Sequence, residues 1–114
     1  MMDEQNLGPN QGLIGQPGSR HRLTTPALVL DLDIIERNLA ALAGKAGEQG
    51  LALRPHGKTH KCVEIARLQI AGGAIGVCAA TLHEAEVLVG GGIPGGADYL
   101  SRGGRGQDCA FEPA

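Results

Sequence analysis

The chain repeats one order three times: a short apolar run, then residues at helical spacing, then glycines. The apolar runs span residues 27–30, 51–53 and 75–79, and each is short enough for a buried strand. Each run is followed by apolar residues three and four positions apart, which is the spacing of one helix face. Strands that alternate with helices predict an α/β protein with parallel strands.

The first predicted helix begins after Asp31 or Asp33 and ends at Gly47 or Gly50. An aspartate before the first turn can accept free backbone N–H groups, and a glycine tolerates the backbone turn that ends a helix. The apolar residues of this helix recur at helical spacing: Ile35, Leu39, Leu42 and Ala46.

The second predicted helix begins near Cys62 and ends at Gly72-Gly73, and the third ends in Gly90-Gly91-Gly92. Thr81 is the expected N-cap of the third helix, with Glu84 at the position of a capping box. The expected apolar positions are Val63, Ala66 and Ile70 in the second helix and Ala85, Leu88 and Val89 in the third.

The two ends of the chain lack this order. Residues 1–22 contain Gly8-Pro9 and Pro17-Gly18 and predict a disordered leader before a domain at 23–95. Residues 96–114 predict a low-complexity coil, with at most a strand at Asp98-Tyr99-Leu100. Two arginines without flanking aromatic residues argue against an RNA-binding tail there. The abrupt change near Gly96 suggests an out-of-frame end, a hypothesis that translation of the downstream DNA in the other frames tests.

Composition sets limits on the class of protein. At 114 residues the chain has room for one domain, and 2% aromatic residues with 19 glycines predict a poorly filled core. The net charge of −2 gives no general attraction to nucleic acid or to anionic membranes. No apolar run has the length of a signal peptide or a membrane span. Three cysteines without a CxxC pair predict reduced thiols and a cytoplasmic location.

The chemistry is concentrated in Arg54–Lys61, which reads RPHGKTHK and is called the basic segment below. It follows a predicted strand, and ligands of parallel α/β folds bind at the C-terminal ends of strands. If the extended run continues, Arg54, His56 and Lys58 line one face. Neighbouring cations favour a neutral amine at Lys58, which can attack a carbonyl group. A solvated basic loop explains the same residues equally well.

Three other motifs are weaker. Gly57-Lys58-Thr59 resembles the end of a P-loop, but position 52 is alanine where that motif requires glycine. Gly90, Gly92 and Gly95 satisfy GxGxxG, but they follow a helix, where a dinucleotide fingerprint follows a strand. A zinc cluster of His56, His60 and Cys62 lacks a fourth ligand unless Cys78 and His83 converge on it, so no metal site is predicted.

Taken together, several stretches resemble the N-terminal part of the D-threonine aldolase and D-serine dehydratase family. The resemblance covers about residues 23–94, and its most specific part is the basic segment. The other matching stretches are TPALVLDLD at 25–33, ERN at 36–38, GVCAAT at 76–81 and EAE at 84–86.

This resemblance implies pyridoxal phosphate enzymes with the alanine racemase fold, in which a TIM-type (β/α) barrel precedes a β domain. We therefore expect a partial barrel of about three strand–helix units, with Ala27–Leu30 belonging to the β domain. The family's Schiff-base lysine corresponds to Lys58, and His56 is a candidate cofactor contact. The family also uses a divalent metal, whose ligands have no counterpart here.

The implied function is that of an N-terminal fragment of a lyase for D-3-hydroxyamino acids, inactive alone. The implied parent enzyme is a homodimer that takes a small-molecule D-amino acid. Two alternatives stay open: an amino-acid racemase of the same fold, and a non-catalytic module that binds anions through the basic segment.

Overall fold

The computed structural model describes residues 8–94, 97–99 and 111–113 of the chain. The chain divides into two units, Met1–Asp31 and Leu32–Ala114. The second unit contains the basic segment and all the helices and strands that position it.

The first unit has little regular structure. The leader predicted to be disordered contains two short 3-10 helices, Gly8–Leu13 and Ser19–Arg22, and neither has a buried residue. The strand predicted at Ala27–Leu30 is wrong, since these residues belong to no strand and Leu28 is fully exposed. A strand exists only where another backbone completes its hydrogen bonds, and nothing in the described ranges does so here.

The second unit confirms the predicted alternation of strands and helices. Its elements in chain order are α1 (Leu32–Glu48), β1 (Leu51–Leu53), α2 (Val63–Ala71), β2 (Val77–Ala79), α3 (Leu82–Gly90), β3 (Ala97–Tyr99) and β4 (Phe111–Pro113). The strand allowed at Asp98-Tyr99-Leu100 is found as β3, with Leu100 outside the described residues, whereas β4 lies where the sequence predicted coil. Their sequences are too short to show a period, so pairing with earlier strands defines them.

The strands pair in two sheets of two. β2 and β3 are parallel, with Cys78 opposite Asp98, and β1 and β4 are antiparallel, with Ala52 opposite Glu112. The α/β class is therefore confirmed, but the described strands form no barrel. The antiparallel pair is the departure, because a (β/α) barrel contains parallel strands alone.

The end of β1 and the residues that follow it run parallel to the β2 segment and are hydrogen-bonded to it through the backbone. Leu53 accepts a hydrogen bond from the Ile75 N–H at 2.9 Å, and Pro55 accepts one from the Cys78 N–H at 2.8 Å. The Gly57 N–H in turn donates to the Cys78 carbonyl at 2.8 Å. His56 and Cys78 thus form an isolated parallel bridge. The chain beyond β1 is held beside β2 up to Gly57.

The core is built mainly from small residues. Its buried members are Ala66, Val77, Ala79, Ala85, Leu88 and Ile93, with Val63 and Ile70 packed against them. Burial of the two largest, Leu88 and Ile93, contributes about 1.5–3 kcal/mol each. Val89, expected on the apolar face of α3, is 56% exposed and lies outside this core. No helix within the described ranges is both long and apolar enough to cross a membrane.

The start of α3 follows the predicted capping box closely. The Thr81 hydroxyl accepts a hydrogen bond from the Glu84 N–H at 3.1 Å. The Glu84 carboxylate accepts a reciprocal bond from the Ala80 N–H at 2.8 Å, one residue before the usual capping-box donor. The Glu84 N–H, which the helix leaves unpaired, and the Ala80 N–H just before the N-cap are satisfied in this way.

Loss of the Thr81 hydroxyl is expected to destabilise the chain. Thr81→Ala removes the acceptor for the Glu84 N–H and should lower the free energy of unfolding by about 1 kcal/mol. Thr81→Ser keeps the hydroxyl and should stay close to the wild type in the same urea titration. Equal stability of the alanine and serine variants would show that the cap contributes nothing.

Candidate functional site

The basic segment changes direction at Gly57. Residues before it run beside β2, and residues 57–60 form a turn. Space explains the glycine, because a Cβ there would lie 3.1 Å from Val77 Cγ1 and 3.4 Å from the Cys78 carbonyl oxygen. The turn closes where the Lys61 N–H donates to the Gly57 carbonyl at 2.8 Å.

Lys58 lies in this turn, at the C-terminal end of the extended segment, and it is exposed. Arg54, His56 and Lys58 would share one strand face if the extended run continued, but the extended backbone ends before Lys58. Arg54 and His56 are partly buried on the extended segment. The structure nevertheless brings Lys58 and His56 together, since the Lys58 N–H donates to His56 Nδ1 at 3.2 Å.

The hydrogen bond to Nδ1 sets the form of the His56 ring. A nitrogen that accepts a hydrogen bond carries no proton, so the neutral ring bears its proton on Nε2. The pKa of His56 is lowered from its ordinary value, first by burial and then by the charge of Lys58, although Glu84 opposes the shift. His56 Nε2 is buried and finds no hydrogen-bond partner among the described residues. His56 therefore offers a neutral N–H donor close to Lys58.

His60 shows the same arrangement with its donor satisfied. Its Nδ1 accepts the Cys62 N–H at 3.1 Å, and its Nε2 lies 3.2 Å from Gln69 Oε1. Cys62 Sγ donates to a Glu64 carboxylate oxygen at 3.2 Å. His60 and Cys62 thus have partners of their own, and the described residues bring no three His, Cys, Asp or Glu side chains together as metal ligands.

The structure gives no support to a P-loop or to a dinucleotide-binding glycine motif. Gly57-Lys58-Thr59 is followed by further turn residues before α2 starts at Val63, whereas a P-loop leads directly into its helix. Gly90 ends α3 and Gly92 follows it, so this part of the glycine pattern comes after a helix. Gly95 lies outside the described residues.

The ion pair of Lys61 was not predicted from the sequence. Its Nζ lies 3.5 Å from Glu84 Oε1, so the end of the basic segment is paired with the start of α3. A cavity of about 310 Å³ lies beside this pair, lined by Gly57, Lys61, Val63, Thr81, His83, Glu84, Val87 and Leu88. The pair could have been predicted from position: Lys61 and Glu84 both follow strands, and in parallel α/β units the segments after neighbouring strands lie side by side.

Known proteins with similar sequences are enzymes of D-amino acid chemistry. D-Threonine aldolase from Arthrobacter sp. is 49% identical over 79 residues, which cover 68% of this chain and 21% of that enzyme. 3-Hydroxy-D-aspartate aldolase from Paracoccus denitrificans is 44% identical over 72 residues, 62% of this chain and 19% of that enzyme. No known family profile matches the chain.

A solved structure gives the same result. D-threo-3-Hydroxyaspartate dehydratase from Delftia sp. HT23 aligns with a TM-score of 0.61 and 46% identity, over 62% of this chain and 19% of that one. The resemblance inferred from the sequence is therefore confirmed: the homologues of this chain are D-threonine aldolase and the 3-hydroxyaspartate aldolase and dehydratase. The chain spans about a fifth of the length of these relatives.

Acidification is expected to destabilise the fold through His56. Since the pKa of folded His56 lies below 6.5, the unfolded chain binds a proton that the folded chain resists as the pH falls below that value. The stabilising contribution is thus complete above about pH 6.5 and is lost on acidification. His56→Asn, whose amide oxygen can accept the Lys58 N–H without titrating, should lose less stability between about pH 7 and pH 5.5.

The measurement is the urea midpoint at each pH. His21→Asn, in the exposed 3-10 helix Ser19–Arg22, is the control for the loss of a histidine. If His56→Asn and His21→Asn respond alike to acid, the acid dependence does not come from His56.

Proposed function

We propose that Lys58 is the Schiff-base lysine of a pyridoxal-phosphate-dependent lyase that acts on D-3-hydroxyamino acids. The observation that carries the proposal is the position of Lys58: an exposed amine in a turn just beyond a parallel strand connection. The relatives support it, because each is named as an aldolase or dehydratase of such an amino acid.

The residues present fit the carbonyl end of this cofactor. Lys58 supplies an exposed amine, and the adjacent His56 ring, whose Nε2 has no hydrogen-bond partner among the described residues, is the candidate second contact. Pyridoxal phosphate, when bound, supplies an aldehyde for the amine and a ring that withdraws electrons from the bond to be broken. The divalent metal implied by the resemblance has no ligand set in the described part of the chain, so no step is assigned to it.

In this scheme the protein residues would hold the cofactor and orient the groups around it. Lys58 would hold the cofactor through Nζ, and its backbone N–H keeps the His56 ring in the tautomer that donates from Nε2. Burial and, before a cofactor binds, the charge of Lys58 lower the pKa of His56, which favours the neutral ring with Nδ1 as acceptor. The turn at Gly57 keeps these two groups next to each other at the end of the strand.

Among lyases, an aldolase and a dehydratase are both candidates. An aldolase cleaves the bond between Cα and Cβ to give glycine and an aldehyde. A dehydratase removes the α-proton and the β-hydroxyl and gives a keto acid and ammonia. The relatives include both kinds of enzyme, so product analysis has to decide between the two reactions. Since the chain spans about a fifth of these enzymes, we expect it to bind cofactor without turning over substrate alone.

Cofactor binding tests the proposal against the anion-binding alternative. Pyridoxal phosphate added below one equivalent should produce imine absorbance near the visible edge, and borohydride should trap the adduct for location by mass spectrometry. We expect at least about tenfold more label on Lys58 than on Lys45, an exposed lysine of α1. Lys58→Ala should abolish the absorbance, and Lys45→Ala should leave it unchanged. Label spread equally over the lysines would favour a module that merely attracts anions.

Product analysis separates the remaining alternatives. In a longer protein that contains this chain, D-threonine should give glycine and acetaldehyde if the enzyme is an aldolase, and a D-3-hydroxyamino acid should give ammonia if it is a dehydratase. Formation of the L-amino acid without either set of products would instead identify a racemase.

A further inference from the structure

Lys61 has an unusual backbone conformation. Its φ is +48°, and it is the one non-glycine residue with positive φ within the described ranges. Side chains make this region of backbone space unfavourable, so it persists only where surrounding contacts require it. A backbone outlier of this kind is a reason to look for function at the residue.

Two contacts hold Lys61 in place. Its backbone N–H donates to the Gly57 carbonyl at 2.8 Å and so closes the turn that contains Lys58. Its ammonium group lies 3.5 Å from Glu84 Oε1, at the start of α3. The first contact sets the shape of the turn, and the second connects the turn to the next helix.

Glu84 is a firm anchor for this connection. Its other carboxylate oxygen accepts the Ala80 N–H at 2.8 Å, and its backbone N–H donates to the Thr81 hydroxyl at 3.1 Å. The pKa of Glu84 is lowered, chiefly by the bond from Ala80 and further by Lys61, so the carboxylate stays charged. The Glu84 side chain is 15% exposed, compared with 68% for Lys61.

A cavity lies beside the Lys61–Glu84 pair, between the turn and the start of α3. The cavity of about 310 Å³ is lined by both ends of the turn, Gly57 and Lys61, and by Thr81 and Glu84 of the α3 start. Packing against α3 is therefore incomplete on this side of the turn. Both members of the ion pair line this cavity.

We propose that the Lys61–Glu84 pair positions the turn that carries Lys58, and so presents the Lys58 amine to a carbonyl compound. Neither residue is a catalytic residue in this scheme, since both act through Lys58. The inference rests on the proposed function, because a carbonyl cofactor at Lys58 gives the positioning its use. An exposed ion pair without such a role contributes little, so the test must measure Lys58 rather than stability alone.

Three variants separate positioning from simple stabilisation. Lys61→Gly relieves the positive φ and removes the pair, so it should fold while it loses the connection. Glu84→Gln removes the charge and keeps an oxygen for the Ala80 N–H. Lys61→Arg keeps a cation for Glu84 and should rescue the function. Glu86→Gln, on the exposed surface of the same helix, is the control.

The main readout is the rate at which pyridoxal phosphate forms a borohydride-trapped adduct on Lys58. We expect Lys61→Gly and Glu84→Gln to slow this rate roughly tenfold, because small displacements of a reacting group have effects of this order or larger. Lys61→Arg and Glu86→Gln should stay within about twofold of the wild type. Thermal melts of the same samples show whether each variant is folded. Wild-type rates in folded Lys61→Gly and Glu84→Gln would overturn the proposal.

A second readout needs no cofactor. Limiting acetylation followed by mass spectrometry gives the rate at Lys58 relative to Lys45. We expect that ratio to change in Lys61→Gly and Glu84→Gln and to stay constant in Glu86→Gln. If the wild type forms no adduct at Lys58, the proposed function fails, and this ratio still decides the positioning. An unchanged ratio in both variants would refute it.

Discussion

The candidate site depends on two backbone hydrogen bonds made by Cys78 of β2. Its N–H and carbonyl bond Pro55 and Gly57, each at 2.8 Å, and so hold the strand end of the basic segment against β2. Pro55 can only accept a hydrogen bond, because proline has no N–H. Gly57 can approach closely, because it has no Cβ to meet Val77. These bonds determine where the extended backbone ends and where the turn with Lys58 begins.

Small residues let the elements beneath the site pack closely. Ala66 of α2, Ala79 of β2 and Ala85 of α3 are all buried in one core. Helices approach their neighbours more closely where the contact residues are small. The Arg67 guanidinium also donates to the Gly91 carbonyl at 2.8 Å, which ties α2 to the end of α3. The side chains of the candidate site thus lie on a loop, and the packed elements α2, β2 and α3 hold that loop in place.

The basic segment divides its polar groups between structure and chemistry. The His60 ring is occupied by Gln69 and the Cys62 N–H, and the Lys61 ammonium group faces Glu84. Lys58 is exposed, and His56 keeps a buried donor without a partner among the described residues. In our proposal, these last two groups face the cofactor, and the others hold the turn in place. One eight-residue segment therefore contains both the reactive amine and the parts that orient it.

The sequence by itself determined the features that depend on neighbouring residues. Helix periods, the Thr81 cap and the glycine stops located α1, α2 and α3, because these signals act within one or two turns of the chain. The motif of the basic segment indicated the family of its homologues and is the basis of the proposal for Lys58. Tertiary structure decided the rest. Ala27–Leu30 is apolar but is no strand, and Ala97–Tyr99 is a strand through its pairing with β2. The Lys58 turn and the Lys61–Glu84 pair likewise depend on groups that meet only when the chain is folded, and no local pattern specifies such meetings.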